Sequence, residues 1–270
     1  MHVMFLPLVA CIILAGIHAY LGFHIIERQV IFVDLALAQM AVLGAGVATV
    51  VGFSSDGVAA YWMSLVFTIA GAALFSLTRF KKQRIPHEAI IGIVYAVSAA
   101  LLVMVLSRAG DGDEHIKQAL VGNVLLVNVR DIIHIGVVYA VIGVFHFMFR
   151  RKFFLISRYP DRAFEDGINV RLWDFLFYVS LGIVVTSSAR IAGVLLVFSF
   201  LVVPSVCAMM CSDDPKRRLV IGWAVGLLAS ILGMAVSYYL DFPTGASVVC
   251  AFGVILIGVA LIRQFCRGGY

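Results

Sequence analysis

The chain has 270 residues, 63% of them hydrophobic and only 13% charged. That is about half the charged share of an ordinary soluble domain, which excludes water as its main solvent. Its net charge of +5 is concentrated in short polar gaps between apolar runs, so it reports membrane topology and attraction to an anionic leaflet, and no nucleic-acid motif accompanies it.

Stretches apolar enough to cross a bilayer, which takes about 20 residues as a helix, fall at residues 3–21, 31–53, 58–78, 88–107, 131–149, 172–189, 190–211, 219–240 and 244–262. The predicted fold class is all-α, a polytopic transmembrane helix bundle of eight or nine spans, in a single membrane domain over residues 1–270. Only His2 precedes the first apolar run, which therefore lacks the basic n-region of a cleaved signal and reads as a retained helix. Residues 22–32 hold His24, Glu27 and Arg28 and read as a tilted interfacial turn. The second span opens polar, with Asp34 and Gln39, and then turns small, with Gly44, Gly46, Ala48 and Gly52, a composition that lets helices approach closely. Glu88 follows Pro86 at the start of the fourth span, where an acid complements the helix dipole. Residues 119–129 are apolar but too short to span and read as a re-entrant or membrane-edge segment broken at Gly122 and Asn123. The longest polar stretch, 150–171, is too short to bury a core of its own.

Fourteen of the 20 Lys and Arg residues lie in four gaps: Arg79, Lys81, Lys82 and Arg84; Arg150, Arg151, Lys152, Arg158 and Arg162; Lys216, Arg217 and Arg218; Arg263 and Arg267. The positive-inside bias places these gaps in the cytoplasm. The gaps holding Asp56, then Asp111, Asp113 and Glu114, then Asp241 are expected outside. Cys11, Cys207, Cys211 and Cys250 lie in or beside spans and Cys266 in the basic tail, which builds no disulfide framework.

An ionisable group inside a bilayer costs about 2.5 kcal/mol or more, which makes each one a candidate for function. The polar residues within or beside spans are His18, Asp34, Gln39, His87, Glu88, Asn123, His134, His146, Asp174, Arg190 and Asp241. For His134, His146 and Asp174, near span ends, snorkelling or a bond to a neighbour suffices, and an interhelical bond accounts for His18. Asp34, Gln39 and Glu88 are the candidate pathway residues; helix capping, interhelical contact and a helix start are the competing structural readings. Enzyme motifs fail one by one. His87-Glu88 lacks the second zinc-binding His, because residue 91 is Ile. Gly110-Asp111-Gly112-Asp113 has no partner Asp in mid-span, and Gly245-Ala246-Ser247 is followed by Val248 in place of Gly. Cys207, Met209, Met210 and Cys211 suggest a soft-metal cluster, since residues four apart share a helix face, but core filling is the favoured reading. No phosphate-binding loop occurs, so any ATP consumed must be hydrolysed by another chain. The element from Ala163 to Gly167, with Arg162, Glu165 and Asp166, fits either a docking site for such a chain or a solvated connector.

Six segments then resemble one family, the membrane permeases of bacterial zinc, manganese and iron ABC importers, the ZnuB-like group. They are LGFHIIERQVIFVDLALAQMAVLGAG, EAIIGIVYAVSAALLV, LVGNVLLV, the Ala163 to Gly167 loop, RIAGVLLVFSFLVVPSVCAMM and FPTGASVV. The resemblance implies a type II ABC importer permease, multi-pass in the bacterial inner membrane, which moves a divalent metal ion and is not itself an enzyme. It implies a permease homodimer in lipid, cytoplasmic ABC ATPases coupled through Ala163, Asp166 and Gly167 within the loop at about 150–171, and an extracytoplasmic solute-binding protein. No cofactor would bind this chain; ATP would be used by the partner subunit. In typical members the second span carries an Asp and, four residues later, a His as metal ligands; Leu35 and Gln39 stand at those positions here. Two readings therefore stay open beside metal import: another small solute moved by the same machinery, and a scaffold or channel without an ATPase.

Overall fold

The computed structural model describes residues 2–54, 57–79, 85–107 and 124–267. Their helices run α1 His2–Glu27, α2 Val33–Val50, α3 Val58–Leu77, α4 His87–Leu106, α5 Val129–Met148, α6 Arg150–Arg158, α7 Pro160–Glu165, α8 Val170–Ala192, α9 Val194–Cys211, α10 Pro215–Leu240 and α11 Thr244–Arg267. Among the described residues, nine of these (α1–α5 and α8–α11) are long and apolar enough to cross a membrane, the upper of the two expected numbers. Asp56, Lys81, Lys82, Arg84, Asp111, Asp113, Glu114, Gly122 and Asn123 lie outside the described residues. Of the expected re-entrant segment, only the one-turn 3-10 helix Val124–Leu126 and its link to α5 are described.

Two local expectations change. Residues 22–27 continue α1, and the interfacial turn shrinks to residues 28–32. The polar residues there point at protein: His24 Nδ1 lies 2.9 Å from Ser157 Oγ, and Glu27 Oε1 accepts from Arg218 Nη1 at 2.5 Å. The helix ends in a Schellman arrangement, with Val30 N–H donating to the Ile25 carbonyl at 3.2 Å, Gln29 N–H to the Ile26 carbonyl at 3.1 Å, and Gln29 left-handed at φ +56°. The second change is at residues 150–171, which form two short helices. One face of α6 buries Phe153, Ile156 and Ser157 while Arg150, Arg151 and Lys152 stay exposed, the three-to-four spacing of an amphipathic surface helix.

Burial grades outward from the middle. In α8, 61% of the spanning window is buried and in α2 and α9 56%, against 22% in α4 and α5 and 17% in α11. Leu21, Leu37, Phe177, Tyr178 and Phe200 fill the centre between α1, α2, α8 and α9. Gly22 lets α1 lie directly on α9, since a Cβ there would run into the Leu201 carbonyl and Ser205 Oγ. At one end, hereafter the basic end, contacts between Arg28, Arg79 and Asp174 and between Glu27 and Arg218 draw together the α1–α2 turn, the end of α3, the start of α8 and the start of α10.

Candidate functional site

The start of α2 lies at the basic end. Its N-cap residue, Phe32, offers no side-chain acceptor, so the orphan donors of the first turn need a partner from elsewhere. Glu88, the second residue of α4, supplies it: its Oε1 accepts from Phe32 N–H at 2.9 Å. One carboxylate thus sits at two helix N-termini, its own and that of α2, where both dipoles favour negative charge. Asp34 lies in the same turn of α2, 1% exposed, and its Oδ1 has no hydrogen-bond partner among the described residues. Glu88 Oε2 is in the same condition.

Gln39 is buried on α2, and Leu35 packs half-buried against the core. The two are four residues apart and share a face, from which Asp34 is displaced by about 100°. Because α2 is regular helix from Val33 onward, no unwinding brings Asp34 into the place of Leu35. The helix start thus brings together the two carboxylates Asp34 and Glu88, while Gln39 lies more than a turn further along α2 on another face. Among the described residues, no group of three or more His, Cys, Asp or Glu side chains is arranged to hold a metal ion.

The second predicted site divides into support and surface. Ala163 is fully buried under α7, against Ile156 and Val170, so it seats the helix. Asp161, Arg162, Glu165, Asp166 and Gly167 are exposed. Gly167 ends α7 in a left-handed conformation at φ +72°, with Ile168 N–H donating to the Ala163 carbonyl at 3.0 Å, a position that favours glycine for backbone reasons alone.

Sequence reasoning missed a buried ionic cluster beside these sites. Arg28 Nη1 donates to Asp174 Oδ1 at 2.5 Å, with both side chains fully buried. Arg79 Nη1 lies 3.0 Å from Asp174 Oδ2 in an ion-pair contact whose angle falls short of a hydrogen bond. Burial lowers the Arg28 pKa from its ordinary value while Asp174 raises it, and a guanidinium keeps its charge in such a site. For Asp174 the bond to a neighbour is therefore the explanation, and snorkelling is not. The same holds for His146, whose Nε2 lies 2.7 Å from Ser180 Oγ, and for His18, whose Nε2 lies 3.2 Å from Ser188 Oγ. The available signal was that Arg28, Arg79 and Asp174 all fall at span ends expected on one side.

The far end is of different character. A cavity of about 700 Å³ is lined there by Tyr61, Asn128, Asp131, His134, Ser187 and Arg190, among others. The Tyr61 hydroxyl lies 3.2 Å from Ser187 Oγ, and the Arg190 guanidinium lies 5.3 Å from the centre of the Tyr61 ring.

Comparison with known proteins fits this architecture. The chain is 27% identical over 187 residues to a "Probable iron transport system membrane protein" of Haemophilus influenzae, covering 68% of each chain. It is 23% identical over 258 residues to the "High-affinity zinc uptake system membrane protein ZnuB" of the same organism, covering 95% of this chain and 96% of the relative. The structure titled PsaBC from Streptococcus pneumoniae in complex with Fab superposes with a TM-score of 0.78 at 21% identity, over 96% of this chain and 91% of that one. Residues 1–263 match the ABC 3 transport family, and the chain belongs to that family as a multi-pass membrane permease.

Proposed function

We propose that this permease is the membrane subunit of an ATP-driven importer of a divalent metal ion in the bacterial inner membrane. In this reading it works as a homodimer by alternating access, on cytoplasmic ATPases docked against α7 and with an extracytoplasmic protein delivering cargo. The observation that carries the metal is the pairing of Asp34 and Glu88 at the start of α2, each with a buried carboxylate oxygen free of partners among the described residues. A hard cation stripped of water needs anionic oxygen ligands of this kind. Relatives named for iron and for zinc support the class of cargo and leave its identity open.

Asp34→Ala should reduce zinc, manganese or iron uptake into vesicles at least tenfold at unchanged expression. Restoring the ligand pair of typical members by Leu35→Asp with Gln39→His should tighten zinc or manganese binding in calorimetry. Normal uptake in the first variant, with unchanged affinity in the second, would end the metal reading. A second reading, another small solute moved by the same machinery, is favoured by Leu35 and Gln39 themselves, since an alkyl group and a neutral amide are poor ligands for a divalent ion.

A further inference from the structure

We propose that Arg28 is a positioning residue that transmits displacement of the α6–α7 connector to the start of α2. The inference rests on the ATPase docking proposed above and names the internal part through which docking would act. Only Tyr159 separates α6 from α7, and only residues 166–169 separate α7 from α8. Movement of α7 therefore falls first on its flanks, where Ser157 lies in the last turn of α6 and Asp174 in the second turn of α8.

Both flanking residues grip the same guanidinium. Arg28 Nε donates to Ser157 Oγ at 2.8 Å, Nη1 donates to Asp174 Oδ1 at 2.5 Å, and the guanidinium carbon stands 4.0 Å from the centre of the Phe177 ring. A planar fork held on two edges and one face fixes a direction as well as a charge, which a lysine could not reproduce. Asp174 in turn meets Arg79 at the end of α3.

From Arg28 the chain leads directly to the candidate cargo site. Arg28 N–H closes the last turn of α1 on the His24 carbonyl at 3.0 Å, and the Schellman bonds around Gln29 make the next residues a fixed turn. That turn ends at Phe32, whose N–H is held by Glu88, with Asp34 two residues beyond. A displacement of the guanidinium is thus delivered through a five-residue hydrogen-bonded turn to the N-terminus of α2, a contiguous network of the kind that can carry coupling between sites. Because separating either partner from a buried pair is far costlier than keeping them together, the pair moves as a unit.

The test needs no knowledge of the cargo. Leu35→Cys is introduced at the start of α2 in the permease complexed with its ATPase in membrane vesicles. Thiol labelling at that site is followed by mass spectrometry in the nucleotide-free and ATP–vanadate-trapped states. The labelling rate should change with nucleotide in this parent, and Arg28→Lys and Ser157→Ala should each shrink the change at least threefold with the ATPase still bound. A full-size change in both variants overturns the proposal, as does a parent whose labelling ignores nucleotide while the ATPase is bound. If Arg28→Lys does not fold, Ser157→Ala, which removes one neutral hydroxyl, decides alone. Failure of an ATPase to co-purify with the unmodified permease would instead bring down the docking reading, and this inference with it.

Discussion

The two ends of the bundle are held by different chemistry. At the basic end, buried charges meet: Arg28 with Asp174, Arg79 with Asp174, and Arg218 with Glu27. At the far end neutral hydrogen bonds join the helices, Tyr61 with Ser187 at 3.2 Å beside a cavity of about 700 Å³ and Ser237 with Thr244 at 2.9 Å, and the Arg190 guanidinium stands over the Tyr61 ring. Neutral hydrogen bonds contribute about 1 kcal/mol each and can be lost singly. A buried ion pair adds little net stability when whole, yet costs about 3–5 kcal/mol when one partner is removed. The basic end is therefore built to shift as one piece or stay put, and the far end can yield bond by bond.

Substitutions can break that contrast. Asp174→Ala should destabilise the purified permease by about 3–5 kcal/mol, because it strands Arg28 without a counter-charge; thermal unfolding in detergent measures it. Glu27→Ala should cost about 1–3 kcal/mol by leaving Arg218 partly unsatisfied, read in the same assay. Arg218 also reaches Asp213 at 3.1 Å, but Asp213 is fully exposed, and Asp213→Ala should leave the unfolding midpoint where it is. The smallest measurable effect belongs to the far end, where Tyr61→Phe should cost about 1 kcal/mol or less. If Tyr61→Phe proved as damaging as Asp174→Ala, the distinction between the ends would not stand.

Much of this architecture is legible in residues alone. Apolar length sets the spans, and the basic gaps mark an end that the ion pairs later draw together. The misplaced end of α1 shows where such reading stops. His24 and Glu27 look like water-facing groups until Ser157 and Arg218, 133 and 191 residues away, are brought to them by the fold. Asp34 stands out as an acid in an apolar run, yet nothing local shows that Glu88 caps its helix from 56 residues beyond Phe32. Gly167 is a milder case. A glycine just past a short helix already suggests a left-handed cap, and the loop resemblance drew attention to docking before backbone geometry.

α8 combines two properties that pull against each other: it is the most buried of the nine spans and the least hydropathic. Left alone in lipid, Asp174, Ser180, Thr186, Ser187 and Ser188 would gain little from the hydrocarbon. Their side-chain partners described here, Arg28 and Arg79 for Asp174, His146 for Ser180, Thr68 for Thr186, Tyr61 for Ser187, and His18 and Tyr139 for Ser188, all precede α8 in the chain. During synthesis, the groups that make this helix tolerable in the bilayer are thus already made when α8 leaves the ribosome. Biogenesis in chain order is consequently written into the position of α8, and a permuted chain that delivered it first would be expected to stall at insertion.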